Sequence, residues 1–247
     1  MGDSLGDRMK KYERISQSDL MRRTPVIVRL DGKAFHTYTR GCDKPFDMDL
    51  HQIRQQTLQH LCETIQGCII GYSQSDELSL VLKDWDTYDT SAWFDNNLQK
   101  IVSVTASECT ARWNELVYMQ PISETPPLAS KVRGFAKFDS RAFNVPKEEV
   151  INYLIWRQGD WERNSVQMLA RAYYSHKQCH GKSCKELITL IEQEHNIVWG
   201  NLATWKKQGE TWIRGVGIVD DVVFKLNRST IDKLVYDELV SPRIITE

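Results

Sequence analysis

The chain has 247 residues, of which 41% are hydrophobic and 26% are charged, the composition of an ordinary globular protein. Its formal net charge of -1 excludes nucleic-acid binding through an overall positive field and requires a local basic patch for any such function. No apolar run approaches the roughly 20 residues of a membrane span, and the charged N-terminal stretch lacks the apolar core of a signal peptide. We therefore predict a cytoplasmic protein without membrane contact.

The first 145 residues predict an alternating order of strands and helices. Apolar, β-branched runs indicate strands, and apolar residues at helical spacing indicate helices. The predicted elements are a short helix over 4–15, a strand over 26–30, a helix from the N-cap Asp47 to Gly67, strands over 68–72 and 77–82, a helix over 94–113 and a strand over 132–138. After the first helix, this order is the β-α-β-β-α-β of a ferredoxin-like α+β fold, a four-stranded antiparallel sheet with two helices on one face.

Residues 146–247 predict a mostly helical extension that packs on the first domain, residues 1–145. Pro146 stands at a predicted helix start, and Gly159 is expected to break that helix before a second one begins. The remaining predicted elements are a helix over 184–194, a turn-rich basic stretch over 199–217, a strand over 220–226 and a terminal helix over 229–239.

Three acidic residues lie at the ends of apolar strands. Asp31 follows the first predicted strand, while Asp76 and Glu77 lie in the turn between the second and third strands. Because the first and third strands of this fold are neighbours, we expect the carboxylates to meet at one edge of the sheet. Such a cluster is costly to ionise without a cation, and its oxygen atoms suit Mg²⁺. The pattern predicts a site with two metal ions that acts on phosphate groups.

The turn after the first strand has the features of a phosphate-binding loop. Gly32 allows close approach of the backbone to a ligand, and we expect successive backbone N–H groups of residues 31–36 to face a triphosphate. Lys33, His36 and Lys44 add cationic or hydrogen-bonding side chains. A triphosphate is therefore the predicted ligand.

The six cysteines are predicted to be reduced thiols, because none forms a C-x-x-C pair. His176, Cys179, His180 and Cys184 lie close together in the sequence, but their spacings match no standard zinc pattern. We interpret this stretch as the polar end of a helix and the turn that follows it.

Several short motifs, found together and in order, resemble those of the tRNA-histidine guanylyltransferase family. Residues 28–32 (VRLDG) with Phe35 and His36 resemble its first motif, and residues 74–77 (QSDE) resemble its second. Further matching positions are Lys44, Pro45, Asp47, residues 138–141 (FDSR) and residues 156–158 (WRQ). The resemblance extends over most of residues 5–215.

This resemblance implies a palm-like sheet that adds nucleotides to the 5′ end of tRNA in the 3′-to-5′ direction. A 5′-monophosphate is activated by ATP or GTP, and the 3′-hydroxyl of an incoming nucleoside triphosphate then attacks the activated end. A 5′-triphosphate needs no activation. The family also implies a homotetramer, built as a dimer of dimers.

The resemblance assigns roles to individual residues. Asp31, Asp76 and the backbone carbonyl of Gly32 are implied to bind two Mg²⁺ ions, with Glu77 as an accessory catalytic acid. The residues implied to contact the nucleotide are Asp31, Gly32, Lys33, Ala34, Phe35, His36, Lys44, Ser75 and Asp76.

One departure points to a branch of the family. Members dedicated to tRNA-histidine carry a His-Ile-Asn-Asn-Leu-Tyr-Asn motif, which aligns with residues 162–168 (ERNSVQM), where only Asn164 matches and Glu162 replaces the histidine. This form resembles the bacterial and archaeal guanylyltransferase-like proteins, which favour template-directed repair of 5′-truncated tRNA. Addition of guanylate to tRNA-histidine remains the alternative.

Several basic and polar residues are candidate contacts to triphosphate or tRNA, although a solvated helix face is an equally good interpretation of some of them. These candidates are Arg29, Arg163, Asn164, Arg171, Lys182, Asn201 and Lys207.

Two other function classes are compatible with the predicted sheet. A palm-like nucleotide cyclase would carry a Gly-Gly-Asp/Glu-Glu/Asp-Phe hairpin, which the chain lacks. A non-catalytic RNA-binding module would stack bases on aromatic residues of the sheet. Tyr72, Phe135 and Phe138 lie on predicted strands, but no Lys/Arg-Gly-Phe-Gly-Phe run accompanies them.

Overall fold

The computed structural model describes residues 3–119 and 128–219, together with Val222 and Phe224. Its strands are β1 (Val26–Gly32), β2 (Cys68–Gln74), β3 (Glu77–Leu82), β4 (Phe138–Asn144), β5 (Glu210–Ile213) and β6 (Gly217–Val219). Its α-helices are α1 (Leu5–Ile15), α2 (Phe35–Tyr38), α3 (Met48–Thr64), α4 (Leu98–Tyr118), α5 (Leu128–Lys131), α6 (Glu149–Tyr173), α7 (His176–Cys179), α8 (Cys184–His195) and α9 (Thr204–Lys207). Short 3-10 helices span Trp93–Asn96 and Trp199–Asn201.

The strands form one antiparallel sheet in the order β4-β1-β3-β2-β5-β6. The alternation of side chains along β1 and β3 decides which helices cover each face. Leu30 and Leu80 belong to the core that α3 and α4 complete, while Ile27 and Val81 point to the opposite face and pack with Leu154 of α6. The predicted fold class is confirmed, with two helices on one face and the start of the C-terminal extension on the other.

Local signals placed the central elements correctly. Asp47 caps α3 as predicted, because its side chain accepts hydrogen bonds from the backbone N–H groups of Asp49 and Leu50 at 3.0 and 3.1 Å. The β2–β3 hairpin and α8 also lie where their apolar periodicity predicted them.

The predicted strand over 132–138 is wrong by about one element length, since β4 begins at Phe138. Val132 and Ala136 are buried, but they fill the core from an irregular connection and not from a strand. β4 itself is an edge strand with mostly half-exposed residues, so it lacks the apolar alternation that identifies a strand.

The predicted break at Gly159 is also wrong, because Gly159 lies inside α6, which is continuous over 25 residues. A single helical glycine costs only about 1 kcal/mol relative to alanine. Leu154 and Trp161, buried on either side of Gly159, hold the helix against the rest of the fold and offset that cost.

The turn-rich stretch over 199–217 contains two short strands that the sequence did not predict. β5 pairs with β2 between Ile70–Ile213 and Ser73–Glu210, and β6 pairs with β5. Strands of four and three residues are too short to show a periodic pattern. The predicted helix over 229–239 and, apart from Val222 and Phe224, the predicted strand over 220–226 lie outside the described residues.

The domain division at residue 145 stays a prediction. Within the part of the chain that the structure describes, none of the helices combines the length and apolar character needed to cross a membrane.

Replacement by alanine should change the free energy of unfolding in opposite directions at Gly71 and at Gly159. A Cβ atom on Gly71 would lie 2.3 Å from the Cys62 Sγ and 2.9 Å from the Leu58 Cδ1, so Gly71→Ala is expected to lower the free energy of unfolding by about 1–3 kcal/mol. A Cβ on Gly159 meets nothing within 4 Å, so Gly159→Ala should raise it by about 0.5–1 kcal/mol. Urea denaturation measures both, and a destabilised Gly159→Ala protein would contradict a continuous α6.

Candidate active site

The end of β1 meets the β2–β3 hairpin at one edge of the sheet. Asp31 and Glu77 are direct partners in the β1–β3 ladder, and the Gly32 N–H donates to the Asp76 carbonyl at 3.0 Å. Ser75 takes a positive φ of 47°, which lets a two-residue turn join β2 to β3. The three carboxyl groups therefore lie together, in the arrangement that the predicted strand order requires.

The ionisation of Asp76 is unfavourable in this arrangement. Its pKa is raised to about 6, mainly by burial and next by the negative charge of Asp31. Hydrogen bonds from its own backbone and from Ser75 only partly compensate. A carboxyl group whose ionisation is opposed in this way is stabilised by a bound cation.

Asp31 and Asp76 fit Mg²⁺, which commonly binds one or two carboxylates and completes its coordination with substrate phosphates and water. Among residues 3–119 and 128–219, no cluster of three or more His, Cys, Asp or Glu side chains is arranged to hold a metal.

Glu77 lies beside the aspartates but has different partners. Its Oε1 accepts from the Arg157 Nε at 2.6 Å, and its Oε2 accepts from Nη2 atoms of Arg157 and Arg29, each at 2.8 Å. Glu77 and Arg157 are both at least 95% buried, since their exposed fractions are 5% and 4%. Both carboxylate oxygens of Glu77 are thus engaged by arginine from α6 and β1.

Two adjoining cavities open at this edge, with volumes of about 540 and 440 Å³. The larger cavity contains His36 and Lys44, and the smaller one contains Asp31 and Asn164. Residues that line both are Ser75, Asp76, Trp161, Met168 and Arg171. Asp76 therefore stands between two spaces, each with room for part of a nucleotide.

The predicted backbone cradle is only partly present. The N–H of Gly32 donates to Asp76 and the N–H of Lys33 donates to the Lys137 carbonyl at 2.8 Å, so neither is available to a triphosphate. The prediction of successive free N–H groups over residues 31–36 is wrong for these two. Ala34, with a φ of 54°, redirects the chain into α2, so residues 31–36 do not form one continuous extended cradle.

Phe35 and Gly32 form a packing contact. The Phe35 ring is buried against Trp113 and Phe138, at centroid distances of 5.3 and 5.1 Å, although one edge of it reaches the larger cavity. A Cβ on Gly32 would lie 2.2 Å from that ring. Glycine is thus required at position 32 by close packing, a reason independent of ligand binding.

The other candidate contacts fall into two groups. Arg29, Asn164 and Arg171 line the smaller cavity, and Arg163 is bound to Asp160 at 2.6 Å near its rim. The candidates that line neither cavity are Gly32, Lys33, Ala34, Arg163, Lys182, Asn201 and Lys207. Lys207 instead donates to the Gly200 carbonyl and lies over the Trp199 ring.

A polar group on α3 also lines the larger cavity and was not predicted. His51 stacks on Trp205 with ring centroids 3.9 Å apart, and Arg54 donates to the His51 Nδ1 at 3.0 Å and to Glu210 at 3.3 Å. Burial, with the positive charges of Arg54 and Lys206, lowers the pKa of His51 to about 4, so it is neutral at pH 7. The i, i+4, i+7 spacing of Asp47, His51 and Arg54 was the available signal.

Ionised Asp76 is expected to destabilise the metal-free protein. Its pKa of about 6 in the fold exceeds the ordinary value of 3.8, so the folded state binds the proton more tightly and stability falls as the pH rises through this interval. In EDTA, Asp76→Asn should raise the free energy of unfolding by roughly 1–3 kcal/mol near pH 7.5 and by little near pH 4. Chemical denaturation across pH measures this. Asp89→Asn, an exposed control, should show no such trend, and a gain independent of pH would contradict the assignment.

Replacement of the buried Arg157 should lower the free energy of unfolding far more than replacement of the exposed Arg163. Arg157→Gln leaves Glu77 buried with less compensation and is expected to cost about 3–5 kcal/mol in the free energy of unfolding. Arg163 also binds an acid but its side chain is 66% exposed, so Arg163→Gln should cost at most about 1 kcal/mol. Denaturation curves compare the two variants, and similar losses would show that the buried pair is not a main tie between α6 and the sheet.

Comparison with known proteins agrees with this geometry. A sequence profile described as tRNAHis guanylyltransferase matches residues 6–146. A solved bacterial tRNA(His) guanylyltransferase-like protein in complex with ATP is 40% identical, with a TM-score of 0.84 and coverage of 96% of this chain and 99% of that one. A corresponding structure in complex with GTP is 36% identical, with a TM-score of 0.76 and the same coverage.

A eukaryotic relative is more distant. The tRNA(His) guanylyltransferase of Schizosaccharomyces pombe is 26% identical over 227 residues, which cover 87% of this chain and 82% of the relative. The palm-like fold, the resemblance and its bacterial branch are thereby confirmed. The protein is a nucleotidyltransferase that belongs to the tRNA(His) guanylyltransferase family, among its bacterial guanylyltransferase-like members.

Proposed function

We propose that this enzyme adds nucleotides to the 5′ end of tRNA in the 3′-to-5′ direction, and that its main substrates are tRNAs with truncated 5′ ends. The observation that carries the proposal is the position of Asp76. It stands beside Asp31, with a raised pKa, between two cavities that share one wall. A reaction that joins a tRNA end to a nucleoside triphosphate needs room for the reacting parts of two substrates around one phosphate-binding centre.

Asp31 and Asp76, with the carbonyl of Gly32, would hold two Mg²⁺ ions. Bound there, the ions would neutralise phosphate charge and polarise the reacting phosphorus centre. Binding of ATP and GTP by the bacterial neighbours supports a nucleoside triphosphate as the partner of this site.

The chain's own side chains position the two substrates. His36 and Lys44 in the larger cavity can donate to phosphate oxygens of one nucleotide, while Arg29 and Asn164 face the smaller cavity. Arg171 borders both cavities and can contact either substrate. Arginine binds phosphate through several N–H groups in a fixed plane, so it suits a position between two phosphorylated ligands.

The proposed preference of the enzyme for 5′-truncated tRNA rests on Glu162, which follows Arg157 on α6. Glu162 stands where dedicated guanylyltransferases have histidine, and its Oε1 accepts from the Gln208 Nε2 at 3.3 Å. A carboxylate at this position repels an RNA phosphate where histidine could donate to one. Guanylate addition to tRNA-histidine is the second candidate function, favoured by family membership. The homotetramer, the cytoplasmic location and the contacts by Asn201 and Lys207 stay predictions.

The test is an extension assay with a labelled tRNA that lacks its first nucleotide, in the presence of Mg²⁺ and nucleoside triphosphates. Templated extension at the 5′ end is expected, faster than guanylate addition to full-length tRNA-histidine. Asp31→Ala and Asp76→Ala should each lower the rate by at least about 10²–10³-fold, the loss typical of groups that stabilise a phosphoryl-transfer transition state.

The matched control is Asp89→Ala, an exposed aspartate outside both cavities, which should keep full activity. Absence of extension by the unmodified enzyme would overturn the proposal, as would extension that survives in both active-site variants. Faster guanylate addition to tRNA-histidine would transfer the assignment to the second candidate.

A further inference from the structure

We propose that the exposed surface over residues 176–185, termed the α7–α8 basic surface, binds the phosphate backbone of the RNA substrate next to the active site. This inference rests on the proposed function, which makes tRNA the substrate. It adds where this chain holds the body of the RNA, outside the two cavities.

Charge is concentrated in this surface. Residues 176–185 (HKQCHGKSCK) contain Lys177, Lys182 and Lys185 with two histidines and no acidic residue. The whole chain, by contrast, has 32 basic and 33 acidic residues. A near-neutral protein that binds a polyanion must do so through a local excess of this kind.

The charges are available to a ligand. All three lysines and both histidines are exposed. Among the described residues, no carboxylate forms an ion pair with these lysines, whereas Lys83 and Lys131 elsewhere are paired with Asp86 and Asp43. The nearest acid along the chain, Glu186, is engaged in the capping box of α8, where Ser183 donates to it through its N–H and hydroxyl at 2.7 Å.

The surface is rigidly attached to the active-site helix. Cys179 of α7 and Leu187 of α8 are buried in one cluster with Leu169 and Ala170 of α6. Arg171, the next residue of α6, lines both cavities. An RNA whose 5′ end reaches Asp76 can therefore continue past Arg171 onto lysines that begin six residues later.

The chemistry of the surface favours backbone contacts over base recognition. Lysine ammonium groups on flexible stems act as point charges toward phosphates. Tyr173 lies between Arg171 and this surface in the sequence, and its ring is tilted by 33° against that of His195 at a centroid distance of 4.3 Å. It is 43% exposed, so it can pack against a ribose or a terminal base. Contacts of this type do not depend on sequence, as repair of many different tRNAs requires.

The test is the salt dependence of binding to the tRNA that lacks its first nucleotide. For a duplex, each phosphate contact contributes a slope of about -0.9 to log K against log salt concentration, so Lys177→Ala, Lys182→Ala and Lys185→Ala together should reduce the slope by about two to three. The KM for this tRNA should rise by about tenfold or more, with the KM for ATP and the kcat at saturating tRNA unchanged.

Two controls make the result specific. Replacement of the same lysines by arginine should keep the slope, and the triple variant Lys10→Ala, Lys11→Ala and Lys100→Ala, with the same change of charge on α1 and α4, should leave slope and KM unaltered. The inference is overturned if the alanine variant keeps the slope of the unmodified enzyme, or if the distant variant lowers it equally.

The outcome is separable from that of the proposed function. An enzyme that extends tRNA but keeps its slope in the alanine variant refutes only the surface. An enzyme that does not extend tRNA, yet binds it with a slope that these lysines control, refutes only the reaction and supports the surface.

Discussion

The constraint on which this structure depends is the burial of Asp76 beside a second carboxylate, Asp31. The antiparallel pairing of β1 with β3 places both carboxyl groups at one edge of the sheet, where burial first and the charge of Asp31 second raise the pKa of Asp76 to about 6. Ionised Asp76 opposes folding of the metal-free protein, so packing elsewhere must offset this cost. The core of β1 and β3 against α3 and α4 supplies that stability.

The third acid at this edge shows how a neighbouring position acquires a different role. Glu77 follows Asp76 directly, but its side chain points to the face covered by α6, where Arg157 and Arg29 neutralise it. Arg157 also binds Asp160, which in turn binds Arg163. This chain of charges fastens the centre of α6 to the edge of the sheet and so holds Asn164 at the smaller cavity.

α6 is consequently the element that connects the parts of the enzyme. Its first half packs on the sheet through Leu154, its centre is tied to Glu77, and its last turns line both cavities and carry α7 and α8. α6 is continuous over 25 residues, and the packing of Cys179 and Leu187 on Leu169 and Ala170 places the α7–α8 basic surface beside its C-terminal end. One helix therefore borders both cavities and the proposed RNA surface.

The sequence by itself determined the elements whose signals are local. Apolar alternation located β1 to β3, Asp47 marked the start of α3, and the order of these elements predicted that Asp31 and Asp76 would meet. The motifs around the two acids also identified the family, because several short matches in a fixed order are specific even when each alone is not.

Only the tertiary structure decided the features that depend on distant residues. Glu77 is neutralised by an arginine 80 positions away, and the N–H of Lys33 is taken by Lys137. β4 and β5 pair through their backbones at places where the sequence shows no alternation, and α6 passes through Gly159 because packing outweighs a cost of about 1 kcal/mol. The periodicity of apolar residues indicates which face of a segment is buried. These features depend instead on which distant residues contact that segment in the folded protein.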